Sequence, residues 1–337
     1  MPGWHLAGGV CVPWAVELVD PAGVVGDEDG FLRVDATGTP HLAYANATGL
    51  RYATRGAGGW TSELVTPTHA SAQLVLDASG GPHLAWAASF AAMYADKASG
   101  AWKTSTVEAN DVDCDVSLAL DASGATLVAY HVLTTNVANT VLHLASGAAG
   151  ATAWTVETIP NGGPGCYVRE AVDSAGALHV LHVSISEMDH LVKSSGSWTL
   201  HALSFSSEAS EFSGPSFTLP AGGGYGVAYV DNVLDDLQYT YPSGSAQYPV
   251  ATSTVLDGRY QSPTGGKSLA FDSKGTPWLA YGAGTSLVLA RYDGTNWHAN
   301  PIEDTHDFYF GGVSLVLDAN DAPHLAWYTK DGLKYAQ

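Results

Sequence analysis

Between residues 113 and 182 the chain gathers side chains able to move protons or hold metals: Asp113, Cys114, Asp115, His131, Cys166, Tyr167, Arg169, Glu170 and His182, with His69 upstream. Histidine and carboxylate at a concave surface support general acid–base catalysis, or hold a divalent ion that lowers the pKa of bound water. His131, His182 and Glu170 are therefore the candidate catalytic groups. His69, Asp113 and Asp115 are the candidate ligands of a divalent metal, zinc or calcium. Tyr167 and Arg169, together with Tyr260, His306 and Tyr309 from a distant stretch, are the candidate substrate contacts. Cys114 and Cys166 admit three readings: a disulfide, two free thiols, or shared metal ligation. No HExxH, GxSxG, P-loop or CxxC…CxxC signature is present, so these residues stand out only against the pattern around them.

That pattern is a repeat. Asp-x-x-Gly-x-Pro-His-Leu-Ala-Tyr/Trp appears as DATGTPHLAY from Asp35, DASGGPHLAW from Asp77, DSKGTPWLAY from Asp272 and DANDAPHLAW from Asp318. Weaker copies start at Asp121 and Asp173, and an eroded one ends at Tyr229. A period of about 40–50 residues selects helical pairs or four-stranded propeller blades. The segments are short, β-branched and aromatic with Gly and Pro between them, which predicts strands.

The first unit divides into strand A at Phe31 to Val34, a turn at Asp35 to Gly38, strand B at His41 to Tyr44, strand C at Leu50 to Thr54 and strand D at Trp60 to Val65. The last unit stops at Gln337 without a strand D, and PWAVELV at Pro13 to Val19 mirrors GWTSELV at Gly59 to Val65. The expectation is an all-β, seven-bladed β-propeller of four antiparallel strands per blade. It is a single domain over residues 1–337, in which strand 13–19 completes blade 7 and leaves few open edges.

The repeat separates scaffold from departure. The turn Asp and Gly have local turn chemistry, and His41, His83, His179 and His324 are expected to bond backbone or the turn Asp between blades. The Trp and Tyr series of strands D and C are expected to pack blade on blade. Against this background Glu170 replaces the Leu of most units, Arg169 replaces Ser117, Ser268 and Ser314, and His182 replaces an aromatic. His131 stands where Ala45 and Ala87 do, and Cys114 and Cys166 each lie seven residues before a turn Asp. A structural ion pair of Glu170 with Arg169 or Arg33 is the competing reading.

The formal charge is −20, from 13 Lys+Arg against 33 Asp+Glu, which disfavours nucleic acid and anionic membrane surfaces as partners. A small-molecule or carbohydrate ligand and a monomer are expected. Three cysteines cannot form a complete disulfide framework. No apolar run approaches the ~18 residues of a membrane span, and no export signal is visible at Met1. The expected compartment is secreted or periplasmic with its signal outside these residues, with the cytoplasm as the alternative.

The chain resembles bacterial seven-bladed β-propeller proteins built from D-x-x-G-x-P-H-[LI]-A-[YW] repeats, broadly similar to Asp-box repeats. It lacks Ser-x-Asp-x-Gly-x-Thr-Trp, so the resemblance implies the fold and not sialidase-like catalysis. Two functions follow from the residues. One is a hydrolase with a single site at the propeller mouth, where metal- or His-activated water attacks an ester or phosphoester. The other is a lectin-like propeller that binds carbohydrate or a small ligand without catalysis. The mouth residues do not repeat, which favours one site and the enzyme.

Overall fold

In the computed structural model, residues 4–7, 10–24, 30–97, 100–134, 140–148, 150–163, 165–184, 188–203, 212–231, 236–242, 250–256, 263–304 and 312–337 are described. For residues 4–7, 10–13, 113, 114, 166, 184, 212, 213, 250–252, 256 and 263–265 the description is of backbone alone. The chain forms seven four-stranded antiparallel sheets, the blades of a β-propeller. Blade 3 runs through Val112–Leu120, Thr126–Leu133, Thr140–Gly147 and Thr155–Thr158, and blade 4 through Gly165–Val172, Leu178–Ser184, Met188–Ser194 and Ser197–Leu203. Blade 7 pairs Val313–Leu317, Pro323–Thr329 and Gly332–Ala336 with the N-terminal strand Val16–Asp20, which closes the ring. The closing strand begins at Val16 and not at Pro13, because Pro13 is already paired with Trp4 in a separate hairpin of Trp4–Ala7 and Val10–Pro13.

Six of the seven A–B turns are built around an aspartate; the blade 5 turn closes from Gly223 to Pro220 without one. The Asp35 carboxylate accepts the Thr37 amide at 2.8 Å and the Thr39 amide at 2.9 Å, and Gly38 takes φ +85°. Asp77, Asp121, Asp173, Asp272 and Asp318 accept the equivalent pair of amides. Strand B then presents a histidine to the same carboxylate. His41 Nε2 lies 3.4 Å from Asp35 and its Nδ1 bonds the Tyr52 hydroxyl on strand C; His83 and His324 bond Tyr94 and Tyr335 at 2.5 Å. The bond to the turn Asp thus lies within one blade and not between blades. The antiparallel register sets this, since it places the tyrosine beside the residue two positions after the histidine.

Where the pattern changes, partners change together. Blade 3 has Leu127 and Leu144 in the histidine and tyrosine places, blade 4 has His179 bonded to His190 at 2.9 Å, and in blade 6 Trp278 Nε1 approaches Asp272 at 3.4 Å. Replacing both members of a buried polar pair avoids leaving either unsatisfied.

The tyrosine also begins the contact with the next blade. Tyr52 meets Trp102, Tyr94 meets Trp154, Tyr239 meets Trp297 and Tyr335 meets Trp60, edge to face at 5.1–5.4 Å. Outside this contact Glu17 accepts Arg55 and Trp60, and Glu63 accepts Lys97 and Trp102. On the inner strands Ser117, Ser216 and Ser268 each accept, at 2.9 Å, a backbone amide of the following blade: Glu170, Leu269 and Leu315.

Two outcomes follow. His41→Leu should cost about 1–3 kcal/mol, because the buried Tyr52 hydroxyl loses its partner, and adding Tyr52→Phe should recover part of that in urea unfolding. Burial alone raises the Asp35 carboxyl, but the Thr37 hydroxyl and the Thr39 and Thr37 amides outweigh it and hold the group at about 2. A carboxylate depressed on folding stabilises above its unfolded value of about 3.9 and loses that contribution as pH falls towards 2. Asp77, Asp121, Asp173, Asp272 and Asp318 are lowered too, so acid titration followed by circular dichroism should show the ring losing stability between about pH 4 and pH 2.

Candidate functional site

The seven inner strands surround a cavity of about 540 Å³. Its wall includes Arg33, Gln73, Arg169 and Glu170, and it extends to the A–B turns of blades 6 and 7 at Ser273 and Asp321. Those turns close the end opposite the D–A loops, so this cavity is axial and not confined to the loop mouth expected from the repeat.

Glu170 is the anomaly in that wall. Its counterparts Leu32, Leu74, Leu118, Leu269 and Leu315 are apolar and buried, whereas Glu170 is 9 % exposed with no hydrogen bond to either carboxyl oxygen. Burial pushes its carboxyl up to about 8, with the backbone at Ala129 and Ala119, which approaches without reaching hydrogen-bond geometry, drawing it only partly back. Burial thus favours the neutral acid form of Glu170, the form able to donate a proton. The competing ion pair does not form as drawn. Arg169 pairs with the buried Asp115 of blade 3 and also donates to the Val168 carbonyl at 2.8 Å. Asp115 and Arg169, assigned to separate metal and substrate roles from the sequence, thus hold each other across the blade 3–4 seam.

His131 and His182 meet at the same seam. They sit on the B strands of neighbouring blades with ring centroids 5.2 Å apart, and both are 0 % exposed. None of their four ring nitrogens has a hydrogen-bond partner; among the described residues the Asp189 carboxylate stands 3.9 Å from His182 Nδ1. Burial and the neighbouring His182 lower the His131 imidazole to about 3, which keeps it neutral. An unsatisfied buried polar group costs about 1–3 kcal/mol, so this pair is an expensive departure from the Ala and aromatic residues of the other blades. Neither ring is open to solvent, and neither lines the axial cavity.

The remaining candidates are scattered. His69 is exposed before strand A of blade 2, and Tyr167 is half-buried against the blade 4–5 core. Asp113 is the backbone partner of His131, but its side chain, like those of Cys114 and Cys166, lies outside the described residues. Tyr260, His306 and Tyr309 also lie outside them. Among the described residues no three His, Cys, Asp or Glu side chains converge to hold a metal.

A second concavity of about 420 Å³ lies between blades 5 and 6, lined by Tyr239, Tyr241, Lys274, Arg291, Tyr292 and Asp293. Tyr239 and Tyr241 stack at 5.1 Å, and Tyr292 stands 5.2 Å from Trp297. Sequence reasoning placed Tyr239 in the packing series and passed over Tyr241 and Tyr292. The available signal was the alternation Gln238-Tyr239-Thr240-Tyr241, which puts both rings on one face of a strand.

No protein-family model matches the chain, and no curated protein matches it. Solved structures of similar shape exist at low identity. A catalytically inactive virginiamycin B lyase from Staphylococcus aureus with quinupristin is 11% identical with a TM-score of 0.64, covering 96% of this chain and 98% of that one. Hydrazine synthase from Kuenenia stuttgartiensis is 12% identical with a TM-score of 0.64, covering 93% and 96%. YCF48 from Cyanidioschyzon merolae is 14% identical with a TM-score of 0.58, covering 96% and 98%. At such identities the likeness shows the fold alone.

A carboxyl raised on folding holds its proton longer in the folded state, so its contribution to stability declines as pH rises from the unfolded value of about 4.3 towards 8. Glu170→Leu, which restores the residue of the other blades, should remove that decline. It should stabilise the protein at pH 8 by on the order of 2–4 kcal/mol relative to wild type in urea unfolding, with a smaller difference at pH 5.

Proposed function

We propose that the chain is a hydrolase with one site, in the axial cavity, where Glu170 acts as the general acid. The observation that carries this is a buried carboxyl in the cavity wall, without a hydrogen-bond partner, at a position that is leucine in most blades; burial raises it to about 8, which favours the protonated form. Bearing one such acid, the cavity has a single reactive point and not a ring of equivalent ones. The imidazoles of His131 and His182 lie in a seam away from the cavity, whereas Glu170 is part of its lining, so the acid–base role passes to the carboxyl.

The reaction is cleavage of an ester or phosphoester. Water attacks the acyl carbon or phosphorus, the bond to the leaving oxygen breaks, and the Glu170 proton passes to that oxygen. A proton from the attacking water restores the acid. Arg169 is neutralised by Asp115 and the chain carries a charge of −20, which favours neutral esters over anionic phosphoesters. A divalent metal at Asp113, Asp115 and His69 is not needed for this step.

A second reading, a carbohydrate-binding propeller without catalysis, rests on the cleft between blades 5 and 6. The faces of Tyr241 and Tyr292 suit apolar sugar surfaces, and Arg291 and Asp293 suit hydroxyl groups.

A panel of fluorogenic neutral esters and phosphoesters separates the two. Turnover by wild type should fall about 10²–10⁴-fold in Glu170→Gln and decline as pH rises through 8. Turnover unchanged in Glu170→Gln sinks the catalytic assignment. Absence of turnover on every substrate, with saturable glycan binding lost in Tyr241→Ala, establishes the binding reading in its place.

A further inference from the structure

We propose that the seam between blades 3 and 4 is a structural site for one divalent cation of the zinc class, held by His131 and His182. This is independent of the acid role of Glu170. The two imidazoles are fully buried, face each other from neighbouring blades, and offer four nitrogens that meet no hydrogen-bond partner. Elsewhere in the fold buried histidines are paired: His41, His83 and His324 with tyrosine, His179 with His190. The seam alone brings two histidines together without giving them a bond.

Their geometry fits a shared ion. With Zn–N bonds of about 2.0–2.1 Å and a tetrahedral angle, two imidazoles on one ion have centroids about 5.2 Å apart. The observed separation is 5.2 Å, with the planes inclined at 43°. Glycine is required beside one nitrogen: a Cβ on Gly165 would stand 2.5 Å from His182 Nε2, in the position next to that nitrogen.

The backbone supplies further donors at the same level. Asp113 is the register partner of His131. Cys114 lies in the bulge between Asp113 and Val116, and Cys166 in the bulge between Gly165 and Tyr167, on the two strands that pair directly with the histidine strands. Two cysteines and two histidines on four adjacent strand segments make the donor complement of tetrahedral structural zinc sites. No other seam combines these residue types, since the corresponding positions of blades 1 and 2 are Tyr44 with Ala45 and Trp86 with Ala87.

The test uses the full chain, stripped with chelator under reducing conditions and titrated with Zn²⁺ and with Co²⁺. One equivalent of zinc per chain is expected, with an unfolding temperature that rises with free zinc. Co²⁺ should give a tetrahedral d–d spectrum with a thiolate charge-transfer band that Cys114→Ser with Cys166→Ser removes. His131→Ala and, separately, His182→Tyr, each a residue from the same position of another blade, should weaken zinc binding about 100-fold or more. Zinc at background in the wild-type protein overturns the proposal, as does affinity unchanged in both histidine variants. A Cys114–Cys166 disulfide in metal-free native protein also overturns it. The wild-type titration decides the matter even if a variant does not fold.

Discussion

The carboxylate of the A–B turn aspartate is the group from which the contacts of each regular blade radiate. It closes its own turn by accepting two backbone amides, and the same carboxylate approaches the strand-B histidine. That histidine holds a strand-C tyrosine, whose ring receives the tryptophan of the next blade, which in turn donates to a glutamate of the blade before. Asp35, His41, Tyr52, Trp102 and Glu63 therefore form one continuous path from a local turn to an interblade contact. A blade is positioned on its neighbour by a chain of short-range bonds, and the ring closes when Tyr335 of blade 7 meets Trp60 of blade 1.

Blades 3 and 4 depart from that scheme in two physically different ways. In the relay itself they change conservatively: blade 3 replaces histidine and tyrosine together by Leu127 and Leu144, so nothing polar is stranded. Along their shared seam the opposite happens. Glu170, His131 and His182 enter positions that are apolar or aromatic elsewhere and gain no hydrogen bonds, while Arg169 and Asp115 enter as a matched pair. Buried tryptophan nitrogens elsewhere in the ring also go unpaired, but here a carboxyl and two whole imidazoles do, at a larger cost to stability. That contrast, and not the presence of histidine or glutamate as such, is the reason to look for function at this seam and in the adjoining cavity.

The reading of Glu170 as an acid was only partly legible beforehand. Its replacement of leucine was visible in the repeat, but its protonation depends on burial and on the capture of Arg169 by Asp115, residues 54 positions apart in sequence. From the sequence Arg169 was as good a partner for Glu170 as any. The histidines were likewise visible as departures, yet their enclosure between two blades is a property of neighbouring sheets. The cleft of Tyr239, Tyr241 and Tyr292 was missed because two of its rings belong to no repeated position.

The period, the turn aspartates and the missing last strand determined the seven blades, their strand order and the closure by the N-terminus, because each is set by local bonding that recurs in every unit. Tertiary structure decided which departures would meet. Side chains from different blades acquire partners, or fail to, only when the ring brings their faces together. Whether a carboxyl keeps its proton or an imidazole stays unbonded then depends on solvent exclusion at that seam, which no single strand contains.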